Sequence, residues 1–207
     1  MTTLVYGIGA AVIAAFVWLV FGIIRIGAIS RGKRIGDRTG TAVLLIDLQT
    51  VFWDRGPYSD TAKLAAKAVI LEEVRAAKRM GHPVIAIRQE WSIPVTKMIA
   101  RMAMRGQAVE GTLGTELAAP FAGLADHGLV KRVQDAFETG DLDPLLEKLG
   151  VGTLRIVGLD FNYCVLKTAL AARNRGYAVT VVKRGTLSGA PTEPAEHRMI
   201  SAEVLLQ

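Results

Sequence analysis

From Leu4 to Ile24 the chain is almost unbroken apolar sequence, and no charged side chain precedes Arg25. About 21 residues make roughly 31 Å of helix, enough to cross a hydrocarbon core of about 30 Å. The pattern then changes to short apolar runs separated by stretches of helical period. Thr41–Asp47, Val84–Ile87, Gly128–Lys131, Leu154–Gly158 and Ala178–Val182 read as buried strands. Thr61–Met80 reads as an amphipathic helix, with Leu64, Ala68, Leu71, Val74 and Ala77 at spacings of three and four and Gly81 as its stop. Further helices are predicted over Pro94–Arg105, from Asp141 to near Gly150 with Pro144 early in it, over Cys164–Arg175 stopped by Gly176, and over Pro194–Leu206. Asp54–Asp60 and Gly111–Gly114 are turn-rich. Alternating strands and helices predict an α/β chain, a three-layer α/β/α sandwich around a mostly parallel sheet, preceded by a transmembrane helix. The division is an anchor over 1–29, a basic linker over 30–40 and a domain over 41–207, whose roughly 170 residues suffice for a substantial core.

The flanks of the apolar run set its reading. Met1-Thr-Thr carries no Lys or Arg, and Ala28-Ile-Ser30 is a poor cleavage site, so a retained anchor fits better than a cleaved signal or a buried core helix. Arg25, Arg31, Lys33, Arg34 and Arg38 follow, against Asp37 alone. Basic residues beside a span stay on the cytoplasmic side, which predicts a single-pass protein with a cytoplasmic domain. An unpaired cysteine agrees with a reducing compartment. The net charge of +6 owes much to this cluster. It speaks for topology and contact with anionic lipid rather than for nucleic acid, for which no aromatic-basic motif exists. Gly7, Ala11 and Ala15 form a small-residue stripe, either simply common in spans or suited to close helix pairing. Lys97, Arg101 and Arg105 form a basic helix face, either solvated or turned to lipid or an acidic partner.

The chemistry-bearing residues are few. Asp47 ends one strand, Lys131 ends another, and Cys164, the single cysteine, follows a third. In an open parallel sheet the carboxyl ends share one edge, where ligands bind. A thiol, a carboxylate and an ammonium gathered there make an activated nucleophile, because a thiol needs a base and a nearby cation favours thiolate. Trp53, Trp91 and Phe161 either line that pocket or fill the core. No Gly-x-Gly-x-x-Gly cradle follows a strand and no Gly-x-Ser-x-Gly elbow is present, which excludes the usual dinucleotide and serine-hydrolase readings.

Leu44-Leu-Ile-Asp-Leu-Gln-Thr-Val-Phe52, Glu110–Leu117, Val130-Lys131 with Ala136-Phe137, and Gly158-Leu-Asp-Phe-Asn-Tyr-Cys-Val165 with Thr168-Ala169 occur in this order. Together they resemble the isochorismatase-like cysteine hydrolases, the superfamily of nicotinamidases and N-carbamoylsarcosine amidases, from about Thr41 to Gly189. The resemblance implies that Cys164 is the nucleophile, Asp47 its base and Lys131 the cation that holds and polarises the pair. It also implies Gln49 in the pocket, backbone amides of Asp160 and Cys164 as an oxyanion site, and a non-proline cis peptide at Leu159–Asp160. The expected reaction is cleavage of a C–N bond in a small amide or ureido substrate through a thioester, by a homo-oligomer without cofactor.

Two departures from the family stand out. Asp160-Phe161-Asn162 replaces the usual Ala-Thr-Asp, and an acidic Asp160 turned inward would oppose ionisation of the thiol. The stretch Arg88-Gln-Glu-Trp-Ser-Ile-Pro94 lacks the histidines with which nicotinamidases hold a metal, so no metal is expected. The competing reading is a membrane-tethered interaction domain that keeps the fold without turnover. A third is an isochorismatase-type enzyme for which Cys164 is dispensable.

Overall fold

The structure is a computed structural model that describes residues 2–207; Met1, and the side chains of residues 2–5 and 7 with the first member of the small-residue stripe, lie outside the described residues. Helix α1 (Thr2–Ile26) is followed by β1 (Gly40–Ile46), a short α2 (Thr50–Trp53), α3 (Asp60–Arg79), β2 (Val84–Gln89), α4 (Pro94–Ala103) and β3 (His127–Lys131). Then come α5 (Leu142–Lys148), β4 (Val151–Gly158), a π turn (Phe161–Val165), α6 (Leu166–Arg175), β5 (Ala178–Thr186), α7 (Glu193–Ser201) and β6 (Leu205–Leu206). The sheet order is β3-β2-β1-β4-β5-β6, and every pairing is parallel. The chain runs outward from β1 to β3, then crosses to the other side of β1 for β4. The crevice outside β1 and β4 is therefore the switch point at which such sheets bind ligands.

Both faces of the sheet are covered, so β1 shows no polar alternation. Ala42, Leu44 and Ile46 pack with Leu142, Leu146, Ala169 and Met199 under α5, α6 and α7. Val43 and Leu45 pack the other way with Ala66, Ile70 and Val74 of α3. Ser59 caps α3, its hydroxyl accepting from the Ala62 amide at 3.2 Å, and Gly176 ends α6 in the left-handed region.

The C-terminus corrects the sequence expectation. The last helix stops at Ser201, Glu203 adopts a positive φ, and Leu205 and Leu206 pair with Thr180 and Val181 of β5. An open sheet edge offers more hydrogen bonds than another helical turn would. The segment between α1 and β1 lies along the domain. The Ser30 amide donates to Asp135 at 2.7 Å and the Ile35 amide to the Arg175 carbonyl at 2.8 Å. Arg175 is itself buried, bonded to Asp143 and stacked 4.4 Å over Phe137.

Helix α1 carries one apolar stretch long enough to cross a membrane, Ile8–Ile26, and most of it is exposed. Its last turn meets α4. A Cβ on Gly22 would sit 2.3 Å from Val95 Cγ2, so only glycine permits this approach. Ile26 is buried with Val51, Trp91, Ala100 and Val109, next to the half-buried Phe52 and Met104.

Candidate active site

The carboxyl ends of β1, β2 and β3 and the turn after β4 converge. Asp47 follows β1 with φ +52°, a left-handed conformation that aspartate tolerates better than most residues. Gly158 ends β4 at φ +121°, and a Cβ there would lie 2.1 Å from the Ile46 carbonyl. The two strand ends are thus pressed together by a residue with no side chain. Leu159 leads into the π turn that carries Cys164. All described peptide bonds are trans, which corrects the expected cis bond at Leu159–Asp160.

The Lys131 ammonium is the centre of the cluster. It lies 2.9 Å from Asp47 Oδ2 and donates to Cys164 Sγ at 3.3 Å, to Gln89 Oε1 at 2.6 Å and to the Val133 carbonyl at 3.3 Å. Lys131 and Asp47 are buried, and Cys164 is 9% exposed at the floor of a cavity of about 400 Å³. Asp47 Oδ1 is buried without a hydrogen-bond partner among the described residues. Burial raises the Asp47 carboxyl above its ordinary value, although Lys131 opposes this. For Lys131 burial works downward, but the charges of Asp47 and Cys164 outweigh it and raise the ammonium. The thiol is pushed up, first by burial and then by the Asp47 charge, and Lys131 does not overcome them. Burial thus favours the protonated thiol, and Asp47 holds a proton more readily than an ordinary carboxyl. A raised carboxylate is a better base, suited to taking the thiol proton as sulfur attacks.

Cys164 lies in the π turn Phe161–Val165 that runs directly into α6, two residues before Leu166, rather than at the first residue of the helix as the sequence suggested. Asp160 does not supply the charge that raises it. Asp160 Oδ1 accepts from the Asn162 amide at 2.9 Å, and Oδ2 accepts from the Gly189 amide at 2.9 Å and the Tyr58 hydroxyl at 3.2 Å. It clips the Tyr58 turn and the Gly189 turn to the nucleophile loop. Burial and Asp160 together push the Tyr58 phenol well up.

Of the expected pocket residues, Trp91 lines the cavity, and so do Asp160 and Cys164. Gln49, Trp53 and Phe161 do not. Gln49 is buried and ties strand ends together: Nε2 donates to the Gln89 and Thr115 carbonyls at 3.0 and 2.9 Å, and Oε1 accepts from the Gln89 amide at 2.6 Å. Trp53 stands edge-on to Phe121 in the α3-side core, with ring centroids 4.7 Å apart. Phe161 is buried in the core on the α6 side. Tyr58, Gln89, Met104, Gln107 and Gln134 line the cavity without having been singled out. Gln89 carried a usable signal, because it ends β2 on the same edge as Asp47 and Lys131; the strand runs two residues beyond its last apolar residue.

Residues 41–203 match the family model described as Isochorismatase domain. No curated protein sequence matches the chain. An isochorismatase family protein from Desulfovibrio vulgaris is 24% identical with a TM-score of 0.70, over 82% of this chain and 94% of that one. The N-carbamoylsarcosine amidase of Thermoplasma acidophilum is 19% identical with a TM-score of 0.69, over 82% and 96%. The pyrazinamidase of Pyrococcus horikoshii, solved in complex with zinc, is 23% identical with a TM-score of 0.67, over 82% and 99%. At these identities the solved structures establish a shared fold. Among the described residues of this chain, no three His, Cys, Asp or Glu side chains group to hold a metal ion. Glu90, in the stretch after β2, pairs with Arg88 at 3.0 Å. The residues present do not fit a metal.

Proposed function

The chain belongs to the isochorismatase family, and from that premise we propose that it is a cysteine hydrolase, held at the membrane by its N-terminal helix, that cleaves the C–N bond of an amide or ureido substrate. The observation that carries this reading is the Lys131 ammonium set 2.9 Å from Asp47 and 3.3 Å from Cys164 at the floor of a cavity.

The thiol proton passes to Asp47 as sulfur attacks the carbonyl carbon, and Lys131 stabilises the charge that moves between them. The backbone amides of Asp160 and Cys164 are the donors for the developing oxyanion, since those of Phe161, Asn162 and Tyr163 already donate to Leu187 and Asp160. Collapse breaks the C–N bond, the nitrogen leaves with the proton held by Asp47, and a thioester remains on Cys164. Water, deprotonated by Asp47, then releases the acid and restores the thiol. Each cycle consumes one amide and one water and yields one acid and one amine or ammonia.

Anchoring rests on the exposed apolar stretch Ile8–Ile26 and the basic residues that follow it, which favour a cytoplasmic domain. The test uses the full chain in phospholipid vesicles with a panel of amides and ureido compounds. Acid-quenched protein should carry one acyl group on Cys164 by intact mass, and Cys164→Ala should show neither adduct nor turnover. Full turnover by Cys164→Ala would overturn the nucleophile. The raised thiol favours one rival, a tethered domain that binds ligands without cleaving them. It predicts ligand binding with no acyl adduct on any compound.

A further inference from the structure

The cavity and the span share a wall. Ile26, the last residue of the apolar stretch, is buried in the same apolar cluster as Trp91, and Trp91 lines the cavity. Met104, which ends α4 and packs on the same cluster, also lines it. The Gln134 amide donates to the Ile26 carbonyl at 3.1 Å, its side chain reaches the Gly27 position, and Gln134 is a third lining residue. The cavity rim is thus bonded to the turn that ends the apolar stretch.

Depth along α1 sharpens this. Gly22, which α4 crosses at van der Waals contact, lies only about 6 Å along the axis from Ile26. Helix α4 therefore sits at the level where the apolar span ends, which on the anchored reading proposed above is the headgroup layer. Its last turn carries Arg101 and Met102, the latter 76% exposed. Arg105 lies past the helix end at a positive φ and Lys97 pairs with Glu110, so the expected three-residue basic face is not formed, but apolar and basic groups still share this end. Phe52, Pro57 and Leu159 line the same cavity as Met104, together with Tyr58, Gln107 and the Cys164 thiol. A water-soluble amide has no need of a cavity wall shared with the end of an apolar span.

We propose that the substrate is an amide-bearing amphiphile resident in the bilayer, which reaches Cys164 sideways from the leaflet between Trp91, Met104 and Gln134. This rests on the hydrolase reading for its chemistry, in which the C–N bond breaks, the acyl group passes through sulfur to water, and the amine departs with a proton.

The lone cysteine makes the route measurable without turnover. The full chain in vesicles of phosphatidylcholine and phosphatidylglycerol is treated with N-ethylmaleimide or N-dodecylmaleimide. The reference thiol is Met80→Cys in a Cys164→Ala background, an exposed position at the opposite edge of the sheet. The dodecyl-to-ethyl rate ratio at Cys164 should exceed the reference ratio by about tenfold or more, because a few buried methylenes suffice for that. Met104→Glu should cut it back. Equal ratios would overturn the route. In parallel, kcat/KM for straight-chain primary amides should climb with chain length; turnover of acetamide matching that of dodecanamide would overturn the substrate class. Selective labelling with no acyl adduct at any chain length would instead sink the hydrolase reading, and the amide with it, while leaving the sideways route standing.

Discussion

The Lys131 ammonium lies 2.9 Å from the Asp47 carboxylate, and neither group is open to water. Breaking such a pair leaves one charge buried alone. Lys131→Met should therefore lower unfolding stability by about 3–5 kcal/mol in denaturant titrations. Asp47→Asn combined with Lys131→Met should recover part of that loss, since neither charge is then stranded. A single variant as stable as the parent would show that the pair is not tightly buried.

Asp47 has opposite effects on two readouts. Its charge holds the thiol protonated, and its basicity drives acylation. Asp47→Asn should speed iodoacetamide alkylation of Cys164 at neutral pH while slowing turnover by about 10²–10⁴-fold. A plain loss of site integrity would slow both.

The pH dependence follows from the same groups. In the parent, the alkylation rate should keep rising with pH beyond the range where an ordinary thiol is already ionised. The folded chain keeps a proton that the unfolded chain releases. The stability due to the thiol is therefore fully present below the unfolded value of about 8.5 and declines as pH rises above it. Alkylation that levels off below that value would contradict the raised thiol.

Asp135 is buried and accepts from the Ser30 and Phe137 amides at 2.7 and 2.8 Å. Asp135→Ala should cost about 1–3 kcal/mol by orphaning both. Hydrogen exchange at Ser30 should accelerate while that of β1 changes little. Unchanged protection at Ser30 would mean that the strap does not depend on this carboxylate.

Gly158→Ala tests the pinched strand ends. The position has φ +121° and no room toward the Ile46 carbonyl. Alanine should destabilise the domain by more than about 1 kcal/mol and depress turnover, read by thermal unfolding and by the acyl adduct. An alanine variant of parental stability would show that the loop can relax.

Much of this was readable from residue order. Asp47, Lys131 and Cys164 follow apolar runs, and parallel topology alone brings such ends to one edge. Gln49, Trp53 and Phe161 were misplaced for a physical reason. They sit within a few residues of the nucleophile or base, but the direction of a side chain depends on the local turn. The left-handed Asp47 and the π turn before α6 redirect their neighbours into the core. The lining by Tyr58, Met104 and Gln134 comes from three separate connections, whose meeting no periodicity encodes. The β6 pairing was hidden likewise, since two leucines near a chain end become a strand only when an edge is present to receive them.

On the anchored reading proposed above, the strap from Ile26 to Ile35 has a mechanical meaning. Ser30 and Ile35 are bonded to the domain, so the helix is a mount rather than a leash. A domain so mounted on a membrane helix would not spin freely above the lipid, and the proposed opening would keep one bearing as the molecule drifts within the plane. Capture then depends on lateral collisions at that bearing, and its rate should scale with the surface density of the target in the leaflet rather than with its concentration in bulk water.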